Sequence, residues 1–269
     1  MSNSSLVVVG SGIKFISHLT HEAKVHIEQA DKVLFLLNDP AMKEWVQKAN
    51  PKSESLDELY TKYPLRIDCY HAITSYILET LRLGLHVCAV FYGHPSMLAI
   101  PGLNAVLQAK KEGIYARILP GISAEACLFA DLLINPGSCG WQSFETTDFL
   151  INSRKHDPNC HLILWQADVI GTLTNPTSHD NCNGLTILVD RLSKFYQADH
   201  NIILYEAAQY PFFEPKIQQL LLRQLPSITL SSITTLYVPP ANQTKPDTNL
   251  LKRLNNQINL SEQIPCQII

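Results

Sequence analysis

No apolar run in these 269 residues is long enough to cross a bilayer: runs such as Leu6–Val9 and Val33–Leu37 stop after four or five residues. The opening Met-Ser-Asn-Ser-Ser lacks the basic segment and apolar stretch of a secretory signal. These absences, with reduced thiols expected, point to a cytoplasmic protein with no membrane partner. Charge of one sign is also missing. A formal net charge of -3 and a pI near 6.3 exclude a generic polyanion binder, and no nucleic-acid partner is expected. The seven cysteines are odd in number, scattered and without a C-x-x-C pair, so a disulfide framework is not expected. Ten histidines include no H-E-x-x-H, and the groups His156/Cys160/His161 and His179/Cys182 have no second half to complete four ligands. No metal is expected.

What is present is a core-former's composition. Hydrophobic residues make up 46% and charged residues 17%, with mean hydropathy near zero, which excludes disordered and low-complexity classes. Short apolar runs alternate with amphipathic stretches, the pattern of an α/β fold. Strands are expected at 5–10, 32–37, 86–92, 115–119, 161–166, 201–207 and 233–238. Helices are expected at 20–30, from Asp39-Pro40, at 68–83, 101–112, 123–132 and near 184–197, with 171–183 a surface loop. Two α/β domains are expected, 1–120 and 121–240, sharing a ligand cleft at their strand ends. Residues 241–269, rich in Asn, Gln and Lys, read as a tail with one helix around 247–258.

Several motifs stop short of familiar chemistry. Gly10-Ser11-Gly12 follows the first strand, but Phe15 stands where a G-x-G-x-x-G fingerprint needs glycine, and no Walker lysine follows. Gly121-Ile122-Ser123-Ala124-Glu125 has the outline of a nucleophile elbow. Glu125 would crowd that turn, and Ser123 as a helix N-cap explains the segment more simply. Gly93-His94-Pro95 is a turn at a strand end, where His94 is either an acid–base group or a hydrogen-bonded structural residue. Tyr60, Arg66 and Tyr70 cluster with Tyr63 and Asp68. A guanidinium beside a phenol can lower its pKa; an Arg66–Asp68 surface ion pair is the plainer alternative.

Taken in order, Val7-Val8-Val9-Gly10-Ser11-Gly12, Arg66-Ile67-Asp68-Cys69-Tyr70, Tyr92-Gly93-His94-Pro95, Pro120-Gly121-Ile122-Ser123-Ala124-Glu125-Ala126, Leu164-Trp165-Gln166, Tyr205-Glu206-Ala207-Ala208 and Thr234-Thr235-Leu236-Tyr237-Val238-Pro239-Pro240 resemble the tetrapyrrole-methylase superfamily. Within it, the Tyr60/Arg66/Tyr70 spacing resembles the borosin-type peptide α-N-methyltransferases. The resemblance implies a two-domain α/β homodimer that uses S-adenosylmethionine and releases S-adenosylhomocysteine. It implies cofactor contacts from Tyr92, His94, Met97, Ile100, Ser123, Ala124, Gln166, Tyr205, Ala207, Thr234 and Thr235. Catalytic roles fall on Arg66, Tyr70 and Tyr92, with Tyr60 in support. The loop Ile13-Lys14-Phe15 departs from the Gly-Pro-Gly continuation of the porphyrin-precursor enzymes, and Met97-Leu98 departs from the peptide branch. Because 241–263 lacks an apolar core segment, the precursor peptide is expected in trans, in a 2:2 complex with the homodimer. A small-molecule methyltransferase and a non-catalytic peptide-binding protein on the same fold are the alternatives.

Overall fold

The computed structural model describes residues 4–174, 182–242, 244 and 246–253. The chain forms two compact units, one made of Met1–Cys127 with Leu173–Asn175 and Ala207–Glu214, the other of Leu128–Thr172, Pro176–Glu206 and Pro215–Ile269.

The first unit runs β1 (Ser5–Gly10), α1 (His21–Gln29), β2 (Lys32–Leu36), α2 (Pro40–Ala49), β3 (Ser53–Ser55), α3 (Glu58–Lys62), α4 (Arg66–Arg82), β4 (His86–Phe91), α5 (Ile100–Lys111), β5 (Tyr115–Ile118) and α6 (Ala124–Asp131), which carries the chain into the second unit. Its five strands are all parallel, in the order β3-β2-β4-β1-β5. Such a sheet needs cover on both faces, and the sequence supplies it by alternation. Leu6, Val8, Leu34, Ala89 and Phe91 pack against Ile73, Ile77 and Leu81 of α4 and Ala105, Val106 and Ala109 of α5. Val7, Val9, Val33, Phe35 and Val90 pack on the opposite face against Ala23 and Ile27 of α1 and Met42 and Val46 of α2. Full burial of each large aliphatic side chain contributes about 1.5–3 kcal/mol.

Helix starts are capped by side chains. Thr20 accepts from the Ala23 amide at 3.1 Å, Asp39 from Met42 at 2.7 Å, and Ser123 from Ala126 at 3.1 Å. Helix α4 begins two residues earlier than its periodicity predicts, at Arg66, whose amide donates to the Leu173 carbonyl at 3.0 Å. That bond, and a bridge between Leu65 and Thr174, fix the first turn from a segment distant in sequence.

The second unit contains β6 (Trp141–Glu145), α7 (Thr146–Ile151), β7 (His161–Trp165), α8 (Cys182–Leu192), β8 (Asn201–Glu206), β9 (Lys216–Leu221), β10 (Thr235–Val238) and α9 (Thr248–Arg253). Its sheet is mixed, in the order β6-β7-β10-β8-β9, with only the β6–β7 pair parallel. Leu162, Leu164, Ile202, Leu204, Leu236 and Val238 form its core with Phe149 of α7 and Leu185, Leu188 and Leu192 of α8. Helix α8 starts at Cys182, inside the span expected as loop, while His179 and the rest of 175–181 lie outside the described residues. Helix α9 falls within the span expected for the tail helix, whose remainder to 258 is likewise outside them.

Cys139 is disulfide-bonded, which corrects the expectation of reduced thiols throughout; Cys69, Cys88, Cys127, Cys160 and Cys182 are not. An odd, scattered set argues against a framework of bridges but does not forbid one. Among the described residues no helix is long and apolar enough to cross a membrane.

Candidate functional site

In the first unit the chemistry-bearing loops leave the carboxyl ends of β1, β4 and β5, the side of a parallel sheet where ligands bind. Ser11 donates its amide to the Phe91 carbonyl at 2.8 Å, and Gly12 and Gly93 exchange backbone bonds of 3.2 and 3.1 Å. This close approach explains Gly10: a Cβ there would lie 2.1 Å from the Gly93 carbonyl oxygen and 2.8 Å from the Pro95 ring. Gly121, after β5, closes on the same point, with its Cβ position 3.2 Å from that oxygen. The three glycine-bearing loops thus form one seam of main chain.

Around the seam stand Tyr92, His94, Met97, Ser123 and Ala124, all half-buried, and the exposed Ile100. His94 Nδ1 accepts from the Ser96 amide at 3.1 Å and its carbonyl from Met97 at 3.0 Å, so the imidazole holds the turn together. The Ser123 hydroxyl is committed to capping α6. Ala207 opens the segment 207–214, which the Phe15 amide pins through the Gln209 carbonyl at 2.8 Å and which Tyr210 anchors by donating to Asp39. None of these residues carries a fixed positive charge.

Tyr60, Arg66 and Tyr70 come together as a second group. Arg66 and Tyr70 are one helical turn apart, and Ile73, Ile77 and Leu81 continue their stripe into the core. Tyr60, on α3, packs against that core. Burial pushes the Tyr60 phenol well above its ordinary value; the Tyr70 phenol and Cys69 add to this, a hydrogen bond with Tyr70 adds further, and the Arg66 charge opposes it.

Tyr92 sits differently. It packs on the α1/α2 side of the sheet, whereas Tyr60 packs on the α4/α5 side. Burial, with Cys127 and Asp39 nearby, pushes its phenol up to about 12, so it stays protonated through the neutral range. It lines a small hollow with Ser11, Ile13, Phe15, Leu37 and Met42. The groups that act on Tyr92 are therefore not the ones that act on Tyr60, and the expected catalytic four divide into a cluster of three and a separate residue.

The second unit gathers Gln166, Tyr205, Thr234 and Thr235 at one end of three neighbouring strands. Thr235 pairs with Tyr205, and Leu236 pairs with Leu164, two residues before Gln166. Gln166 adopts a left-handed conformation (φ 58°) as the chain leaves β7. Tyr205, 1% exposed, donates to Asp131 at 2.6 Å, so its phenol is spent inside the unit. Sequence reasoning missed Glu206. Its Oε1 accepts from the Thr234 hydroxyl at 2.7 Å, the Ser231 hydroxyl at 2.8 Å and Lys216 at 3.1 Å. Burial pushes the Glu206 carboxyl up, but bonds from Thr234, Ser231 and Lys216 outweigh it and hold the pKa below its ordinary value. Only two separate motifs, Tyr205-Glu206-Ala207-Ala208 and Thr234-Thr235-Leu236-Tyr237-Val238-Pro239-Pro240, hinted at the pair.

A family model described as tetrapyrrole (corrin/porphyrin) methylases matches residues 5–221. The chain is 38% identical over 265 residues to a methyltransferase/ribosomally synthesized cyclic peptide gymnopeptides precursor from Gymnopus fusipes, covering 97% of this chain and 63% of the relative. It is 37% identical over 255 residues to the corresponding omphalotin A precursor from Omphalotus olearius, covering 93% and 61%. A type I borosin cyclic peptide precursor from Coprinopsis marcescibilis is 36% identical over 241 residues, covering 87% and 62%. The chain therefore spans about three fifths of the length of these relatives. In fold it resembles uroporphyrin-III-C-methyltransferase from Thermus thermophilus, with a TM-score of 0.64 and 19% identity over 96% of this chain and 99% of that one. Diphthine synthase gives 0.63 and 16% over 88% and 90%.

Proposed function

We propose, from the premise that this chain belongs to the tetrapyrrole (corrin/porphyrin) methylase family, that it is an S-adenosylmethionine-dependent methyltransferase acting on backbone amides of a ribosomal peptide. The names of its relatives join a methyltransferase to a cyclic-peptide precursor. The observation that carries the peptide reading is the Tyr60–Tyr70–Arg66 cluster at the start of α4.

S-adenosylmethionine, when bound, supplies an electrophilic methyl group. Tyr92, His94, Met97, Ile100, Ser123, Ala124, Gln166, Tyr205, Ala207, Thr234 and Thr235 are the residues assigned to hold it. The protein's own task is the acceptor, because an amide nitrogen is a poor nucleophile until its proton leaves. Tyr70 is the base. It is hydrogen-bonded with Tyr60, and Arg66 lies one helical turn before it. The amino end of α4 adds partial positive charge there. Arg66 also stabilises the negative charge that builds on the amide oxygen as the proton moves to Tyr70. Tyr92, protonated, positions rather than deprotonates.

Residues 241–263 are rich in Asn, Gln and Lys, which favours a peptide supplied in trans over one drawn from those residues. The proposed assembly is a cytosolic homodimer binding two such peptides. Size-exclusion chromatography with light scattering, with and without peptide, tests it. For the chemistry, purified chain is mixed with S-adenosylmethionine and a panel of apolar peptides, and S-adenosylhomocysteine release is followed. Peptide-dependent release is expected. Release that depends on a porphyrinoid or another small acceptor, and on no peptide, would move the assignment to a small-molecule methyltransferase, the class that the uroporphyrin fold neighbour represents.

A further inference from the structure

The end of the second sheet holds a half-buried acid that the reaction does not consume. Glu206 is the last residue of β8, and its side chain is 15% exposed. Thr235 pairs with Tyr205, so the antiparallel register sets Thr234, the next residue outward, beside Glu206. The same register, read from Leu236 against Leu164, sets Thr234 beside Gln166 on the other neighbour, β7. Thr234 is therefore central to three strand ends, and its own groups are committed. Its amide donates to the Ser231 carbonyl at 3.0 Å, its hydroxyl accepts from the Ser231 amide at 3.0 Å, and that hydroxyl donates to Glu206 at 2.7 Å. The Ser231 hydroxyl donates to the same carboxylate oxygen at 2.8 Å.

A hydroxyl committed in this way is not available to a ligand. What remains of Thr234 is its carbonyl and the adjoining peptide, whose direction depends on the 231–234 turn. That turn is closed by one residue from another strand. We infer that Glu206 is a positioning residue for the cofactor: it locks the Ser231–Thr234 turn so that main-chain groups beside Gln166, and not the Thr234 hydroxyl, meet the cofactor. This rests on the proposed use of S-adenosylmethionine. Lys216, bonded at 3.1 Å but with a side chain 63% exposed, is a minor member; the two hydroxyl bonds set the geometry.

Affinity for S-adenosylhomocysteine, measured by isothermal titration calorimetry on the full chain, tests the inference without turnover. Glu206→Ala removes the acceptor of both hydroxyls and should weaken binding about tenfold. Glu206→Gln keeps an amide oxygen for both hydroxyls and should restore affinity to within about threefold of wild type, which a loss of mere bulk or charge would not do. In methylation assays the Ala variant should raise KM for the cofactor far more than it lowers kcat. Ser231→Ala, which removes one bond and fills no space, should fall between and carries the test if Glu206→Ala does not fold. Wild-type affinity in Glu206→Ala or in Ser231→Ala overturns the inference, as does equal damage by Gln and Ala. Failure of the wild type to bind S-adenosylhomocysteine would instead overturn the cofactor assignment itself.

Discussion

Replacing Gly10 by alanine should be far more damaging than its backbone suggests. Its conformation lies outside the left-handed region, so by φ alone alanine ought to be tolerated or mildly stabilising there. The obstacle is steric. The new methyl would sit 2.1 Å from the Gly93 carbonyl oxygen, where ordinary contacts begin near 3.4 Å, and both partners are main chain. The β4 turn must therefore retreat by more than an ångström. Overpacking of this kind costs about 1–3 kcal/mol. Retreat also breaks the paired Gly12–Gly93 bonds, at about 1 kcal/mol each. The sum is about 3–5 kcal/mol, or roughly 10 °C in Tm for a protein of this size. Gly84→Ala provides the contrast. Gly84 has φ +87° with no atom near its Cβ position, so alanine there pays only the left-handed strain of about 1–2 kcal/mol. Thermal melts of the two variants, with S-adenosylhomocysteine titrations, decide the matter. Gly10→Ala should melt well below Gly84→Ala and lose ligand affinity. A Gly10→Ala protein that melts above Gly84→Ala and binds normally would refute the seam.

Arg66→Ala and Tyr70→Phe should each slow peptide methylation by about 10²–10⁴-fold while leaving S-adenosylhomocysteine affinity intact; near-native turnover in both removes the proposed base. Ser123→Ala should lose the α6 cap and about 1 kcal/mol, read as a shift in urea midpoint at constant slope. His156 and His161 are held below the ordinary histidine value of 6.5 by burial, His156 further by Arg191. In that situation the unfolded chain binds the extra protons, so stability is fully present above pH 6.5 and declines as pH falls through the lowered folded values. Urea midpoints should therefore drop between pH 7 and pH 5, and His156→Leu should flatten that slope; a profile with no drop contradicts the burial account.

Much of the first unit was legible because a doubly covered parallel sheet writes itself as unbroken apolar runs, and because Thr20, Asp39 and Ser123 are strong caps. The second unit was harder. β9, Lys-Ile-Gln-Gln-Leu-Leu, is an edge strand whose first four residues are exposed, so it carries no alternation to detect. β6 and α7 are short and only partly buried, and their place follows from pairing with β7. Periodicity also cannot report a return of chain: the bond from Arg66 to Leu173, and the Tyr210 anchor on Asp39, join residues far apart in sequence. The site was legible as a set of residue types. That Tyr60 meets Tyr70, and that Glu206 holds the hydroxyls of Ser231 and Thr234, are facts of three-dimensional placement.

The most direct measurement uses S-adenosylmethionine carrying an isotopically labelled methyl group. The purified chain is incubated with candidate precursor peptides, and tandem mass spectrometry locates the label. Labelled methyl on backbone nitrogens of one peptide, absent with Arg66→Ala, is the predicted result. Label on side chains, or on no peptide while a small acceptor is methylated, would contradict the account.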